Sequence, residues 1–286
     1  MIRLHQIQFG YGSAPLLRNL DFVVEPGSVC GLLGQNGVGK TTLMKIISGL
    51  RFAQAGEVEV VGFNPAERRP QFLSQVFYLP EIVALPNLRP AAYLQSVAPF
   101  YPAFDHALFR QYTEEFSLPM DRPLNQLSLG ESRKVMLAFA LAAGCRLLLL
   151  DEPANGLDIP SRKQLRRLLA MGVRDDRAVI ISTHHVHDIE ALVDSVAIFH
   201  GGGIVLHQSI AALTRRLIVS SQGEPPNPES VLYSERSAGG YTVLRELRDE
   251  PESALDLEML FQAVMADPNR VRAIFGRTKG EPCALC

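Results

Sequence analysis

The sequence has few cysteines, no large excess of charge of either sign and no long hydrophobic run, and these absences exclude several classes of protein. Four cysteines in 286 residues are too few for a disulfide scaffold, and Cys30 and Cys145 lie within apolar runs, which is typical of a reducing compartment. The formal net charge of −2 does not favour binding to the phosphates of a nucleic acid. We therefore expect no nucleic-acid partner.

The hydrophobic runs are too short to cross a membrane. The most apolar stretch, residues 135–150, is interrupted by Arg146 and falls short of the roughly 18 residues that a membrane-spanning helix needs. The N-terminal residues MIRLHQIQFG lack the apolar segment of a secretory signal. We expect a cytoplasmic protein, or one that is held at a membrane by another protein.

What the sequence does contain is the alternation of an α/β fold. Hydrophobic residues make up 47% of the chain, which is enough for a sizeable core and excludes a disordered protein. Apolar patterns predict strands at 2–9, 20–24, 28–33, 56–60, 76–79, 147–151 and 178–182, and helices at 41–50, 131–143 and 161–171. This order predicts an α/β domain over residues 1–218, with a mostly parallel sheet flanked by helices.

Two segments depart from this alternation. Prolines recur after residue 80, and short helical patterns at 91–97 and 106–116 predict a helical insertion at about 82–140. Residues 219–286 begin with a linker rich in Pro, Gly and Ser, followed by predicted strands at 231–233 and 241–247 and a helix with an apolar stripe that includes Leu257 and Leu260. We interpret this region as a small C-terminal α+β extension that packs on the main domain or on a partner. We interpret the last four residues, Cys-Ala-Leu-Cys, as a frayed terminus.

A glycine-rich segment lies between the strand at 28–33 and the helix at 41–50. It reads Gly34-Gln35-Asn36-Gly37-Val38-Gly39-Lys40-Thr41 and fits the pattern of a phosphate-binding loop in the required strand–loop–helix context. Glycines let successive backbone N–H groups turn towards an anion, and the helix N-terminus adds partial positive charge. We predict that Lys40 bridges the outer phosphates and that the Thr41 hydroxyl binds Mg²⁺, with Thr42 also in the nucleotide-binding set.

Acidic residues and a histidine lie at the ends of two later predicted strands, 147–151 and 178–182. Asp151 and Glu152 stand at the carboxyl end of the buried strand 147–151, where open α/β sheets bind their ligands. We predict that Asp151 holds Mg²⁺ through water and that Glu152 is the general base for the water that attacks a γ-phosphate. His184 follows the strand at 178–182 and is expected at the same edge, within reach of that phosphate. We interpret His185 and His187 as solvated residues, because no ligand set accompanies them at metal spacing.

In this order, the motifs resemble those of the ATP-binding subunit of ABC (ATP-binding cassette) transporters, over residues 1 to about 215. Besides the segments already described, the resemblance rests on Tyr11 in Phe-Gly-Tyr-Gly, on the signature segment (residues 127–131, Leu-Ser-Leu-Gly-Glu, where the family has LSGGQ) and on the D-loop segment (residues 153–158, Pro-Ala-Asn-Gly-Leu-Asp). The segment 100–105 is similar to a bacterial subset whose permeases are type-2 exporters.

The resemblance implies a P-loop NTPase fold of the ABC ATPase type with a β-subdomain, and it implies ATP and Mg²⁺ as cofactors. It further implies that Tyr11 stacks on adenine, that Asp158 is the acidic end of the D-loop and that His184 is the switch histidine. Two such domains would clamp head-to-tail, so that Ser128 and the backbone N–H of Gly130 contact the γ-phosphate held by the other subunit. An isolated monomer is then expected to be a poor ATPase.

Three positions depart from the family pattern. Leu129 stands where glycine is usual, and Glu131 stands where glutamine is usual. The position of the Q-loop glutamine is taken by Glu81, whose carboxylate could still bind Mg²⁺ or its water. None of these changes removes a group that the chemistry needs, so we expect a competent ATPase.

The resemblance implies an energy-coupling subunit on the cytoplasmic face of the cell membrane. ATP binding would close a dimer with an identical copy or a paralogous ATPase subunit, hydrolysis would reopen it, and a separate transmembrane permease would convert the cycle into transport. The alternative is a soluble ABC-type ATPase that acts on a macromolecular assembly, for example in iron–sulfur assembly. A non-hydrolysing regulatory module is disfavoured because Lys40, Asp151, Glu152 and His184 are all present.

Overall fold

A computed structural model of the chain describes residues 1–247 and 255–276. The terminal Cys-Ala-Leu-Cys, predicted to be frayed, lies outside the described residues. The strands are β1 (Ile2–Tyr11), β2 (Ala14–Val24), β3 (Val29–Leu33), β4 (Ala55–Val60), β5 (Val76–Leu79), β6 (Leu147–Asp151), β7 (Ala178–Thr183), β8 (Ser195–His200), β9 (Gly203–Ser209), β10 (Leu217–Gln222), β11 (Tyr233–Ser237) and β12 (Gly240–Glu246).

The helices surround these strands on both sides of the central sheet. They are α1 (Lys40–Ile47), α2 (Pro70–Leu73), α3 (Pro90–Val97), α4 (His106–Glu115), α5 (Leu129–Ala142), α6 (Ile159–Met171), α7 (Ile210–Thr214), α8 (Leu257–Ala266) and α9 (Pro268–Phe275). Among the residues that the structure describes, no helix is both long enough and apolar enough to cross a membrane.

The central sheet has six strands in the order β5-β6-β7-β3-β8-β9. All neighbouring pairs are parallel except β8 and β9, so the predicted mostly parallel α/β sheet is confirmed. Because β3, β6 and β7 run side by side in the same direction, the segments that follow them meet at one edge of the sheet. Gly34 follows β3, Asp151 is the last residue of β6 and His184 follows β7, so all three lie at this edge.

Alternate residues of the central strands face two separate cores. Leu148 and Leu150 of β6 pack with α5 on one side, whereas Leu147 and Leu149 pack with α1 on the other. The near-continuous apolar sequence of β6 is explained by this two-sided burial. A three-stranded antiparallel sheet in the order β2-β1-β4 closes the second core and forms the β-subdomain.

The helical insertion packs on the central sheet through aromatic rings. Tyr93 and Tyr101 lie against Phe139 of α5 with ring centroids 5.5 and 6.0 Å apart, and Tyr101 also contacts Phe77 of β5. The rings of Tyr93 and Tyr101 therefore pack against the hydrophobic core, whereas Phe100 is exposed. The helix predicted at 131–143 begins two residues earlier, because Ser128 caps α5.

The C-terminal region forms an antiparallel sheet in the order β10-β12-β11, together with α8 and α9. Leu217, Leu244 and Leu260 belong to the same hydrophobic cluster as Ile189 and Leu206 of the main domain. The extension thus shares its core with the residues that follow His184. The predicted range of the strand at 231–233 was wrong. The strand in this region is β11, which runs from Tyr233 to Ser237 and pairs with β12.

Candidate active site

The phosphate loop connects buried strand β3 to helix α1. Gly37 and Gly39 adopt φ angles of 81° and 116°, which L side chains rarely adopt, and a Cβ on Gly39 would also come within 2.9 Å of the Leu17 side chain. In the described part of the chain, the backbone N–H groups of residues 37–39 donate no hydrogen bond, and Gln35, Asn36 and Gly37 are exposed. The loop therefore offers free donors to an anion at the start of α1.

Lys40 is only 5% exposed and its ammonium lies inside the loop. Its Nζ donates to the carbonyl oxygens of Gly34 at 2.6 Å and Gln35 at 3.2 Å, and it lies 3.5 Å from Oε1 of Glu152. Burial lowers the pKa of Lys40, and Glu152 opposes this shift. The predicted phosphate-binding lysine and the predicted general base are thus brought together.

Tyr11 and Thr42 join the β-subdomain to the phosphate loop. The Tyr11 hydroxyl lies 3.3 Å from Thr42 Oγ1, and the edge of the Phe9 ring supports the Tyr11 ring at a centroid distance of 5.0 Å. Tyr11 is nevertheless 53% exposed, so part of its ring is available to a planar ligand. Thr41, at the start of α1, is half-buried.

Asp151 is buried at the carboxyl end of β6 and accepts hydrogen bonds from two hydroxyl groups. Tyr78 donates to Oδ2 at 3.1 Å, and Ser182 donates to Oδ1. Burial, followed by the nearby charge of Asp151, raises the pKa of Tyr78, which keeps its hydroxyl protonated as a donor. The oxygens of Asp151 and Thr41 are of the type that Mg²⁺ prefers, so this donor set fits the predicted cation.

The carboxylate of Glu152 contacts the ammonium of Lys40 and the imidazole of His184. Its Oε1 lies 2.9 Å from Nδ1 of His184 and 3.5 Å from Nζ of Lys40. Its backbone has a φ of 46°, an uncommon conformation for a residue with a side chain, and its N–H donates to the carbonyl of Ser182 at 3.1 Å. His184 thus lies at the same edge as Glu152, as its position after β7 predicts.

Three contacts at this edge were missed by the sequence reasoning. Asn155 of the D-loop segment donates to Oε1 of Glu81 at 2.7 Å, so the side chain at the Q-loop position is bound to the D-loop. Arg133 of α5 donates to the backbone carbonyls of Glu81 and Glu152. No local sequence signal marks Asn155 or Arg133 as partners, because each contact joins residues far apart in the chain.

The signature segment begins α5 with a reciprocal cap. The Ser128 hydroxyl accepts from the N–H of Glu131 at 3.3 Å, and the Ser128 N–H donates to the Glu131 carboxylate at 2.8 Å. Hydrogen bonding with Ser128, chiefly with its backbone N–H, lowers the pKa of Glu131, and nearby Arg122 adds to the effect. Ser128 is exposed, and neither it nor Gly130 makes a hydrogen bond to the phosphate loop within the described residues.

Asp158 begins α6 in a comparable way. Its carboxylate accepts from the N–H of Ser161 at 2.9 Å, and hydrogen bonding with the side chain and then the backbone of Ser161 lowers the pKa of Asp158. The side chain is exposed and caps the helix. Within the described residues, no group of three metal-ligating side chains is present at His185 and His187 or elsewhere.

The parallel sheet, the glycine-rich loop before α1 and the acidic residues at the end of β6 define the chain as a P-loop NTPase. Residues 17–155 match the family model described as "ABC transporter". The chain belongs to this family.

Individual relatives agree with this assignment. A putative ABC transporter ATP-binding protein of Thermosynechococcus vestitus is 34% identical over 217 residues, which cover 71% of this chain and 76% of the relative. The ABC transporter ATP-binding protein YtrB of Bacillus subtilis is 29% identical over 200 residues, 68% of each chain. A solved structure of the ATP-binding subunit of an ABC transporter superposes with a TM-score of 0.68 at 26% identity, and covers 75% of this chain and 92% of that chain.

Proposed function

We propose that the chain binds and hydrolyses ATP and thereby powers a separate membrane permease, through ATP-driven closure and reopening of a dimer. The single observation that carries the hydrolytic part is the position of Glu152, whose carboxylate lies between Lys40 and His184 at the end of β6. A carboxylate in this place accepts the proton of the water that attacks the γ-phosphate.

The remaining residues bind and orient the nucleotide. The free N–H groups of the loop and the ammonium of Lys40 hold the phosphates, and the exposed ring of Tyr11 stacks on the adenine. Asp151 and Thr41, with Glu81 at the Q-loop position, would hold Mg²⁺, which neutralises the charge that develops on the phosphates. His184 donates to the γ-phosphate and senses its loss.

The exposed N-terminus of α5 supports the proposal of dimer closure. Ser128 is exposed there and Gly130 is half-buried, and the start of a 14-residue helix attracts an anion. Because these residues do not reach the phosphate loop of their own chain, we place them on the γ-phosphate of a second subunit, an identical copy or a paralogue. The permease would hold the dimer at the cytoplasmic face of the membrane.

The Glu152→Gln variant tests this proposal. Its molar mass is measured by light scattering after size-exclusion chromatography, with and without ATP and Mg²⁺. The variant keeps the shape of the side chain but loses the base, so it should bind ATP, lose turnover and shift from monomer to dimer. Glu114→Gln, an exposed substitution on α4, is the matched control and should turn over ATP normally. Adding Lys40→Ala to Glu152→Gln should abolish the shift, since the phosphate contacts are lost.

A Glu152→Gln variant that binds ATP but stays monomeric would count against a homodimer and in favour of a paralogous or permease-assembled site. The alternative function is that of a soluble ABC-type ATPase that acts on a macromolecular assembly. Purification of the wild-type chain from membranes distinguishes the two functions. Co-purification of the wild-type chain with an integral membrane protein supports the permease.

A further inference from the structure

Arg133 lies in the second turn of α5 and is buried against the active site. It is only 5% exposed. Its Nη2 donates to the carbonyl oxygen of Glu81 at 2.8 Å, and its Nη1 donates to the carbonyl oxygen of Glu152. One guanidinium group therefore connects α5 to the backbone of both acidic residues beside the phosphate loop.

Burying this guanidinium is costly, and its surroundings compensate only in part. Burial lowers the pKa of Arg133, while the charges of Glu81 and Glu152 oppose this shift. Its Nε has no hydrogen-bond partner among the described residues. Both described hydrogen bonds go to backbone carbonyls and not to carboxylates, so the planar fork of the guanidinium fixes backbone positions.

The backbone that Arg133 holds is an unusual one. Glu152 has a φ of 46°, its N–H donates to Ser182, and its carbonyl accepts from Arg133 and from the N–H of Asn155 at 3.2 Å. With both sides of the residue fixed, the side chain leaves the backbone in the direction that places Oε1 between Lys40 and His184. Loss of the Arg133 hydrogen bond would weaken the restraint on the Glu152 carbonyl and so favour relaxation of this strained conformation.

The second carbonyl ties the Q-loop position into the same arrangement. Glu81 is held at its carbonyl by Arg133 and at its carboxylate by Asn155. Arg133 also lies five residues after Ser128, about 7.5 Å along the axis of one helix. A rigid α5 would therefore transmit a displacement of the signature segment to Glu81 and Glu152 together.

We propose that Arg133 is a positioning residue that couples the signature segment to the general base Glu152 and to Glu81. It acts on hydrolysis and not on ATP binding, since neither of its hydrogen bonds reaches the phosphate loop. The inference rests on the proposed function, in which Glu152 is the base.

Lys134 provides the matched control, because it is the next residue of α5 and carries the same charge. Its Nζ donates to Gln164 of α6 at 2.7 Å, away from Glu81 and Glu152. The variants to compare are Arg133→Gln, Arg133→Lys and Lys134→Gln. The readouts are steady-state ATPase activity and hydrogen exchange of the backbone amides of the full chain.

Arg133→Gln should lower kcat by roughly tenfold or more, since two hydrogen bonds from a charged donor are lost, while KM for ATP changes less than about twofold. Arg133→Lys keeps the charge but cannot span both carbonyls, so its kcat should be intermediate. Exchange should accelerate in peptides covering 79–83 and 151–155. Lys134→Gln should leave kcat and both segments near the wild-type values.

An unchanged kcat in Arg133→Lys, a parallel change in kcat and KM, or unaltered exchange in the two segments would overturn the coupling. If Arg133→Gln fails to fold, Arg133→Lys still decides the question. If the wild-type chain neither binds nor hydrolyses ATP, the proposed function fails, and the exchange comparison alone then supports or overturns the link from α5 to the two segments.

Discussion

Nδ1 of His184 lies 2.9 Å from Oε1 of Glu152, although the two residues belong to loops after different strands. They meet because β6 and β7 are parallel neighbours, with Asp151 paired to Ser182. The histidine thereby restricts the same carboxylate oxygen that lies 3.5 Å from Nζ of Lys40. The pairing of β6 with β7 therefore holds the carboxylate that we propose as the general base.

His184→Ala should lower kcat by about tenfold or more with little change in KM for ATP, because it removes a group that contacts Glu152 and that, in the proposed function, orients the base and contacts the γ-phosphate. Steady-state ATPase kinetics measure both constants. His187→Ala is the control, because His187 is exposed and lies near Glu190 and Glu258 of the protein surface. Equal losses in the two variants would contradict the role given to His184.

Tyr11→Ala should raise KM for ATP by about three- to tenfold and leave kcat nearly unchanged, since stacking stabilises the bound nucleotide equally in ground and transition states. Tyr11→Phe loses only the 3.3 Å contact with Thr42 and should stay close to wild type. Steady-state kinetics over a range of ATP concentrations give KM and kcat for both variants. If the phenylalanine variant behaves like the alanine variant, the hydroxyl and not the ring is what matters.

Glu131→Gln tests the cap of α5 through its pH dependence. The pKa of Glu131 is lowered by the hydrogen bonds from Ser128, so the ionised carboxylate stabilises the fold above the ordinary pKa of a glutamate and ceases to do so as the pH falls through the lowered value. Wild type should exceed the variant in free energy of unfolding near pH 7, and the difference should shrink in acid. Urea denaturation at several pH values measures this difference in free energy of unfolding. A difference that grows in acid would contradict the predicted direction of the pH dependence.

The sequence allowed the phosphate loop, the acidic pair and His184 to be predicted because each lies in a contiguous motif beside a strand of clear pattern. The partners of these residues could not be predicted. Tyr78, Arg133 and Asn155 reach the site across 73, 19 and 74 positions of sequence, and only the packing of β5, α5 and the D-loop segment brings them together. Local periodicity contains no information on such contacts.

The C-terminal extension is also explained by packing and not by pattern. Its short strands, β11 and β12, have few buried residues, which made their bounds hard to predict. What fixes their place is α8, whose Leu257 and Leu260 join Val186 and Ile189 in one cluster. The N–H of Leu257 also donates to the Glu190 carboxylate at 3.3 Å. The extension therefore supports the segment that immediately follows His184.

Leu260→Ala should consequently destabilise the main domain and not only the extension. Leu260 is fully buried, and removal of a buried leucine side chain costs about 2–5 kcal/mol. Leu50→Ala, at an exposed position, should change the free energy of unfolding by no more than about 0.5 kcal/mol. Chemical denaturation followed by circular dichroism measures both variants. Because α8 and the residues after His184 share one core, we expect a single cooperative transition at a lower denaturant concentration; a separate early transition, with the main one unmoved, would show that the extension unfolds by itself.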